Sequence, residues 1–367
     1  MTDHPASSWA LSRIPGLGCV CPCRSTRAKG GSYLGAVPFL IAVTALLVLA
    51  SGVVLLATYN ARSPVASLQI LSHAVPQGWL VRAYHASGTT LLAGLVYLGL
   101  FHGLLTRAYR APGEYAWMLG VKLLAVLLAA SWFGYVLSGG AGGYWSYQRA
   151  MMAALQFHGA ARGLALWVLS GGLPKLLVLH LLLALSAGLA LWAWLAARAK
   201  VRATPPPGEA VPFYPYYAAQ YLVALCALGF VGALLIGFLP HLGMPALNAV
   251  PGSGLSFAAN PGLPWYLAPL GAAAGSFHGA WGGIGAVIAL AVTLYAVPWL
   301  DLAPPEAPPS RLHQALTWLL GAVVVALGVD GTMPGCPLAP VLDPLLTLYV
   351  FLHFLVLLPL VTWGRAK

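Results

Sequence analysis

Two histidines sit in surroundings so apolar that an imidazole there calls for a reason. His85 lies in GWLVRAYHASGTTLLAGLVYLGLFH (78–102) and His180 in KLLVLHLLLALSAGLALWAWL (175–195). Each stretch is long enough to cross a membrane as a helix. Each histidine falls about a turn and a half inside the start of its run. A cation precedes each one, Arg82 and Lys175. A neutral imidazole binds metal through one ring nitrogen. Two of them, offered at one depth by two helices, can take both axial positions of a porphyrin iron, and nearby cations can meet the porphyrin's carboxylates. A single buried histidine more often packs against a neighbouring helix. The matched pair with matched cations is what points to heme.

The elements that must position such a group follow from the same pattern. Glycines facing a bundle interior let a flat macrocycle approach the backbone, and Gly52 and Gly134 are placed for that, with Gly120 fourteen residues before Gly134. Glycine is also common at ordinary contacts between transmembrane helices, so both uses remain open at these positions.

The chain has 367 residues, 60% of them hydrophobic and only 7% charged. Soluble domains carry about 25% charged residues, so this is a multi-pass membrane protein. The formal charge of +11 does not form a basic patch. Lys and Arg sit in short loops between apolar runs, a topology signal rather than a nucleic-acid surface. Of the five cysteines, Cys19, Cys21 and Cys23 crowd into CVCPC, a spacing unlike common zinc or redox sites, and read as thiols on a cytoplasmic tail. The first thirty residues have no early apolar core, so no cleavable signal is expected.

Apolar runs of spanning length fall at about 34–58, 82–105, 117–137, 175–197, 216–239, 282–300, 312–329 and 344–363. The expected fold is an all-α membrane protein of eight transmembrane helices. A basic tail (1–30) precedes a heme-binding four-helix domain (31–200). A Pro-rich linker (201–215) then leads to a C-terminal four-helix domain (216–367). The distribution of Lys and Arg puts both termini in the cytoplasm, and helices two and four then carry His85 and His180 near the outer face. The long outer loops 138–174 and 240–281 should hold short helices and a pocket. Their histidines, His158, His241 and His278, read as loop histidines or proton acceptors, and His353 as a packing residue of the last helix.

Several of these stretches, in this order, resemble the cytochrome b subunit of cytochrome bc complexes (quinol:cytochrome c oxidoreductases). The resemblance runs from about Gly31 to the C-terminus. It is carried by GWLVRAYHASG (78–88), WMLGVKLLAVLLAASWFGYVL (117–137), YW (144–145), KLLVLH (175–180), PFYPYY (212–217) and PWY (264–266). It implies heme b held by His85 and His180, with propionates met by Arg82 and Lys175. It also implies an outer quinone pocket at Tyr135, Trp265 and Tyr266, residues that could equally form an interfacial aromatic belt.

The departures are as informative as the matches. The family stacks two hemes on histidines fourteen residues apart, about 21 Å of helix. Fourteen residues beyond His85 stands Gly99, and fourteen beyond His180 stands Trp194. His102 is three residues further on and has no partner on helix four. The Lys-Asp pair that serves the family's inner quinone site is Gln220 and Tyr221 here. The glutamate of its Pro-Glu-Trp-Tyr motif is missing, because this chain reads Leu263-Pro264-Trp265-Tyr266. All seven acidic residues are expected in tails or loops.

The expectation is therefore one heme b near the outer face, with quinone as a candidate second ligand. The chain would be an electron-transfer subunit of a bacterial cytoplasmic-membrane complex. Its expected partners are a Rieske-type iron–sulfur protein, a c-type cytochrome or both, with a homodimer as a candidate assembly and no nucleic acid. The competing reading is a non-catalytic scaffold that keeps the fold.

Overall fold

The computed structural model describes residues 26–28, 33–201, 210–244, 248, 250–253, 262–332 and 337–363. Cys19, Cys21, Cys23 and most of the basic tail lie outside them, as does most of the Pro-rich linker. The main elements are α1 (Val37–Leu56), α2 (Pro64–Ala74), α3 (Gly78–Thr106), α4 (Glu114–Leu137), α5 (Ala141–Gln156), α6 (Gly159–Leu169) and α7 (Gly172–Val201), followed by α8 (Ala218–Phe238), α9 (Pro240–Gly243), α10 (Ala268–Gly275), α11 (Gly279–Leu300), α12 (Arg311–Thr332) and α13 (Ala339–Leu352). α13 continues through a π-helical turn, His353–Leu357, into α14 (Leu358–Trp363).

Eight helices among the described residues are long and apolar enough to cross a membrane: Tyr33–Leu56, Gly78–Thr106, Glu114–Leu137, Gly172–Val201, Tyr214–Phe238, Gly279–Leu300, Arg311–Thr332 and Ala339–Trp363. Each overlaps one apolar run of the sequence. A helix satisfies its own backbone polar groups, which a membrane interior requires of any spanning segment. The long loop 138–174 folds into the short helices α5 and α6, and the loop 240–281 into α9 and α10. One feature departs from an all-helical reading: β1 (Thr26–Ala28) pairs antiparallel with β2 (Ala210–Pro212), Arg27 opposite Val211.

The first set of helices packs as two close pairs, α1 with α3 and α4 with α7. His85 stands near one end of α3 and His180 near the same end of α7; this is the histidine end of the bundle. Away from it the pairs close over side chains: Val37, Ile41, Val96, Leu123, Leu124, Leu127, Leu191 and Trp194 form one buried cluster. A second core joins Leu104, Tyr109 and Trp117 of the first half to Val297, Leu320, Val350 and Phe354 of the second.

Charge fixes that junction at the end opposite the histidines. Arg107, following α3, is 6% exposed and Asp301, following α11, is 4% exposed. The Arg107 Nε and Nη2 atoms donate to the two Asp301 carboxylate oxygens at 2.7 and 2.8 Å, and Tyr109 donates its hydroxyl at 2.8 Å. Arg110 lies 3.0 Å from the same carboxylate and donates to the Asp301 and Ala303 carbonyls. Burial alone would raise the Asp301 pKa, but the hydrogen bonds and positive charge of these neighbours hold it below the usual carboxylate range.

Candidate heme site

Each of the two histidines is held by the helix beside it. His85 Nδ1 lies 3.0 Å from the Val48 carbonyl of α1, with Ser51 Oγ 3.4 Å away. His180 Nδ1 lies 2.9 Å from the Ala130 carbonyl of α4. A carbonyl can only accept, so both rings carry their proton on Nδ1 and keep the Nε2 lone pair free. Such a backbone contact fixes the tautomer and orientation of a metal-ligating histidine.

Glycine makes these approaches possible. A Cβ on Gly52 would sit 3.0 Å from His85 Cε1, and a Cβ on Gly134 would sit 3.1 Å from His180 Cε1. Both distances are short of an ordinary contact between carbons, about 3.5–4.0 Å. The two ring centroids are 6.3 Å apart, with planes at 71°. Two metal–nitrogen bonds of about 2.0 Å, each with a ring centre about 1.1 Å beyond the nitrogen, span roughly 6 Å. The donor set, the free lone pairs and the spacing thus fit an axially ligated porphyrin iron between α3 and α7.

The other residues singled out by sequence are less uniform. Arg82 is half-buried one turn before His85. Lys175 donates its ammonium to the Trp167 carbonyl on α6 and lies 4.4 Å over the Trp167 ring, so a propionate contact requires it to exchange partners. Tyr135 donates its hydroxyl to the Gly262 carbonyl at 3.0 Å, and Tyr97 donates to the Tyr266 carbonyl at 2.9 Å. Tyr135 adjoins Gly134 at the histidine end, whereas Trp265 packs against Gly94 and Tyr97 and, with Tyr266, joins the buried cluster further along the bundle. Of the three, Trp265 lines a cavity of ≈1290 Å³ between the two halves; Tyr135 and Tyr266 are buried behind it.

One heme spacing from the histidine site, the same geometry recurs with a different side chain. A Cβ on Gly120 would lie 3.0 Å from Trp194 Nε1 and 3.1 Å from Leu100 Cδ2. Gly120 stands to Trp194 as Gly134 stands to His180, and Trp194 is 5% exposed. Gly99 faces Ile41 and Val37, both 3.7 Å from its would-be Cβ. Lys122 is exposed on the side of α4 away from this packing.

Two anchoring residues were not visible as such in the sequence. Asn248 Nδ2 donates to the Tyr135 carbonyl at 3.1 Å and to Ser138 Oγ, while its Oδ1 accepts the Gly143 amide at 2.8 Å. Tyr59 donates to the Leu137 carbonyl at 2.6 Å. Both brace the end of α4 that carries Gly134. An isolated Asn in a long loop gives no such signal before folding.

A membrane bundle presenting two backbone-tethered imidazoles across a porphyrin-sized gap, fused to a second four-helix half, defines the b-type cytochrome class. The family model described as Cytochrome b/b6/petB matches residues 32–197, and that described as Cytochrome b(C-terminal)/b6/petD matches 262–351. Cytochrome b of Rhodospirillum rubrum is 28% identical over 341 residues, covering 88% of this chain and 84% of its own. Cytochrome b of Allochromatium vinosum is 26% identical over 363 residues, covering 89% and 86%. A solved structure titled as a hyperthermophilic respiratory Complex III shares the fold with a TM-score of 0.81 at 24% identity, over 98% of this chain and 99% of that one. The chain belongs to the cytochrome b family, the heme-based electron-transfer subunit of bc-type complexes.

Proposed function

We propose that this chain is a one-heme member of the family. It would exchange single electrons on the histidine side of the membrane, with quinone or with a partner redox subunit, and lack a complete transmembrane path. The observation that carries the reading is Trp194 seated on Gly120 where the second ligand pair would need an imidazole and an open gap. The buried cluster of Leu, Ile and Val around it leaves that end of the bundle as ordinary core.

When bound, the heme supplies a one-electron carrier. The chain's own residues do the rest. His85 and His180 present Nε2, and Val48 and Ala130 fix the ring orientations through Nδ1. Gly52 and Gly134 admit the rings, and Arg82 stands within a turn of His85 to meet a propionate, with Lys175 as its counterpart on α7. The distance from this site to the opposite end is about 20 Å of helix packed with side chains, which is why electrons must leave on the side they enter. In this reading residues 31–200 are the heme-binding domain and 216–367 the second domain. Both termini are cytoplasmic, in a bacterial cytoplasmic membrane. A Rieske-type iron–sulfur protein or a c-type cytochrome is the class of partner that could take the electron, and the assembly could be a homodimer.

The test is a pyridine hemochrome assay with a redox titration of purified protein. One b-type heme per chain titrating in one step is expected. Two hemes per chain would overturn the proposal, and none would favour a scaffold that has kept the fold without the cofactor.

A further inference from the structure

The two ligand sites share one plan. On α1 the Val48 carbonyl receives His85, and Gly52, four residues on, admits its ring. On α4 the Ala130 carbonyl receives His180, and Gly134, four residues on, does the same. The plan breaks one residue before each glycine, where α1 carries Ser51 and α4 carries Phe133. A hydroxyl therefore stands beside one ligand and a hydrocarbon ring takes the matching position near the other.

Ser51 is 7% exposed. Its Oγ lies 2.8 Å from the Leu47 carbonyl, 3.0 Å from the Val48 carbonyl and 3.4 Å from His85 Nδ1. A hydroxyl has one proton and two lone pairs. The shortest contact takes the proton, so Ser51 donates to Leu47 and turns a lone pair toward the His85 N–H. That N–H then has two acceptors, the Val48 carbonyl at 3.0 Å and Ser51 Oγ at 3.4 Å. Among the described residues, the N–H of His180 has one, the Ala130 carbonyl at 2.9 Å.

We propose that Ser51 is a positioning residue that acts through His85 to lower the reduction potential of the heme. An acceptor at Nδ1 draws the proton outward and makes the opposite ring nitrogen a stronger donor to the metal. The ferric state carries one more positive charge than the ferrous state and is stabilised more by that donor. Hydrogen bonding behind the axial ligand is one of the levers by which a protein sets a heme potential. At 3.4 Å the second contact is weaker than an ordinary N–H···O bond, so its effect is modest. This inference rests on the reading of His85 and His180 as axial ligands and adds a residue that makes the two unequal.

The experiment is a redox titration of the purified heme-loaded chain in detergent, with electron paramagnetic resonance of its ferric form. Ser51→Ala is expected to raise the midpoint by roughly threefold in the ferric-to-ferrous ratio, ~28 mV at 59 mV per tenfold, and to shift the ferric g-values. Ser51→Thr keeps the oxygen and is expected to hold both near the unchanged chain. Thr44→Val is the control. Thr44 is buried two turns earlier on α1 and donates to the Leu40 carbonyl at 2.8 Å, so its loss reports what removing a helix back-bond does by itself; neither readout should move. If Ser51→Ala leaves both readouts unchanged, Ser51 serves only the α1 backbone, and the proposal falls while the axial-ligand reading stands. A lowered midpoint would mean that the hydroxyl competes for the Val48 carbonyl, which also overturns it, as would an equal shift in Thr44→Val. An unchanged chain without heme would sink the ligand reading and this proposal together. Two titration steps, one of them moved by Ser51→Ala, would overturn the one-heme reading and leave this proposal standing.

Discussion

Gly134 offers the sharpest test of the site. Its would-be Cβ stands 3.1 Å from His180 Cε1, about 0.4 Å short of the nearest comfortable carbon contact. The ring is held against this same face of α4 by the 2.9 Å contact to the Ala130 carbonyl, one turn before Gly134, so it cannot back away from a new methyl group without losing that hydrogen bond. Overpacking of this kind costs about 1–3 kcal/mol. Without heme the imidazole is free to swing away, so the penalty falls mainly on the loaded state. Gly134→Ala should weaken heme retention roughly five- to hundredfold, and Gly134→Val, with two further methyl groups, should prevent loading. Gly188→Ala is the control: it lies in α7 with nothing within 4 Å of its would-be Cβ. There the change should be neutral or stabilise by up to about 1 kcal/mol. Heme titration of the apo chain and the hemochrome ratio of the expressed protein measure both effects. A folded Gly134→Val chain that carries heme at the unchanged ratio would refute the placement of the His180 ring at the iron.

Trp194→Ala removes a large buried side chain and should cost about 3–5 kcal/mol of stability while heme content stays the same; a drop in heme content would show that Trp194 supports the cofactor rather than filling core. Asp301→Asn leaves Arg107 buried without its counter-charge and should destabilise the chain by about 3–5 kcal/mol, measured as thermal unfolding in detergent. Because the folded-state pKa of Asp301 is depressed, its contribution is fully present above the unfolded value near 4 and is lost as pH falls through the folded value. The acid end of the stability profile should flatten in Asp301→Asn. Gly52→Val should match Gly134→Val in heme loss, since its would-be Cβ lies 3.0 Å from His85 Cε1; normal loading would break the symmetry of the two ligands.

What could be read in advance follows a physical line. Spanning helices show in the sequence because a bilayer demands some twenty apolar residues per crossing, and all eight runs became helices. The histidine pair showed because imidazoles are conspicuous against such a background, and so did Gly99 and Trp194, by counting fourteen residues on. The Arg107–Asp301 knot was invisible: the two residues stand 194 positions apart, and each alone looks like an ordinary loop charge. Lys175 was read by its nearness to His180, but a four-carbon stem can reach backward, and α6 offered it the Trp167 carbonyl and ring. Asn248 earned its role only from where its loop came to rest.

The short ladder between Thr26–Ala28 and Ala210–Pro212 has a further consequence when taken with the knot at Asp301. Both contacts join residues on opposite sides of the stretch from Val201 to Ala210. Two separate polypeptides, produced by ending one gene and starting another within that stretch, would still meet through a strand pairing and a buried ion cluster. They should therefore reassemble and co-purify without any covalent connection.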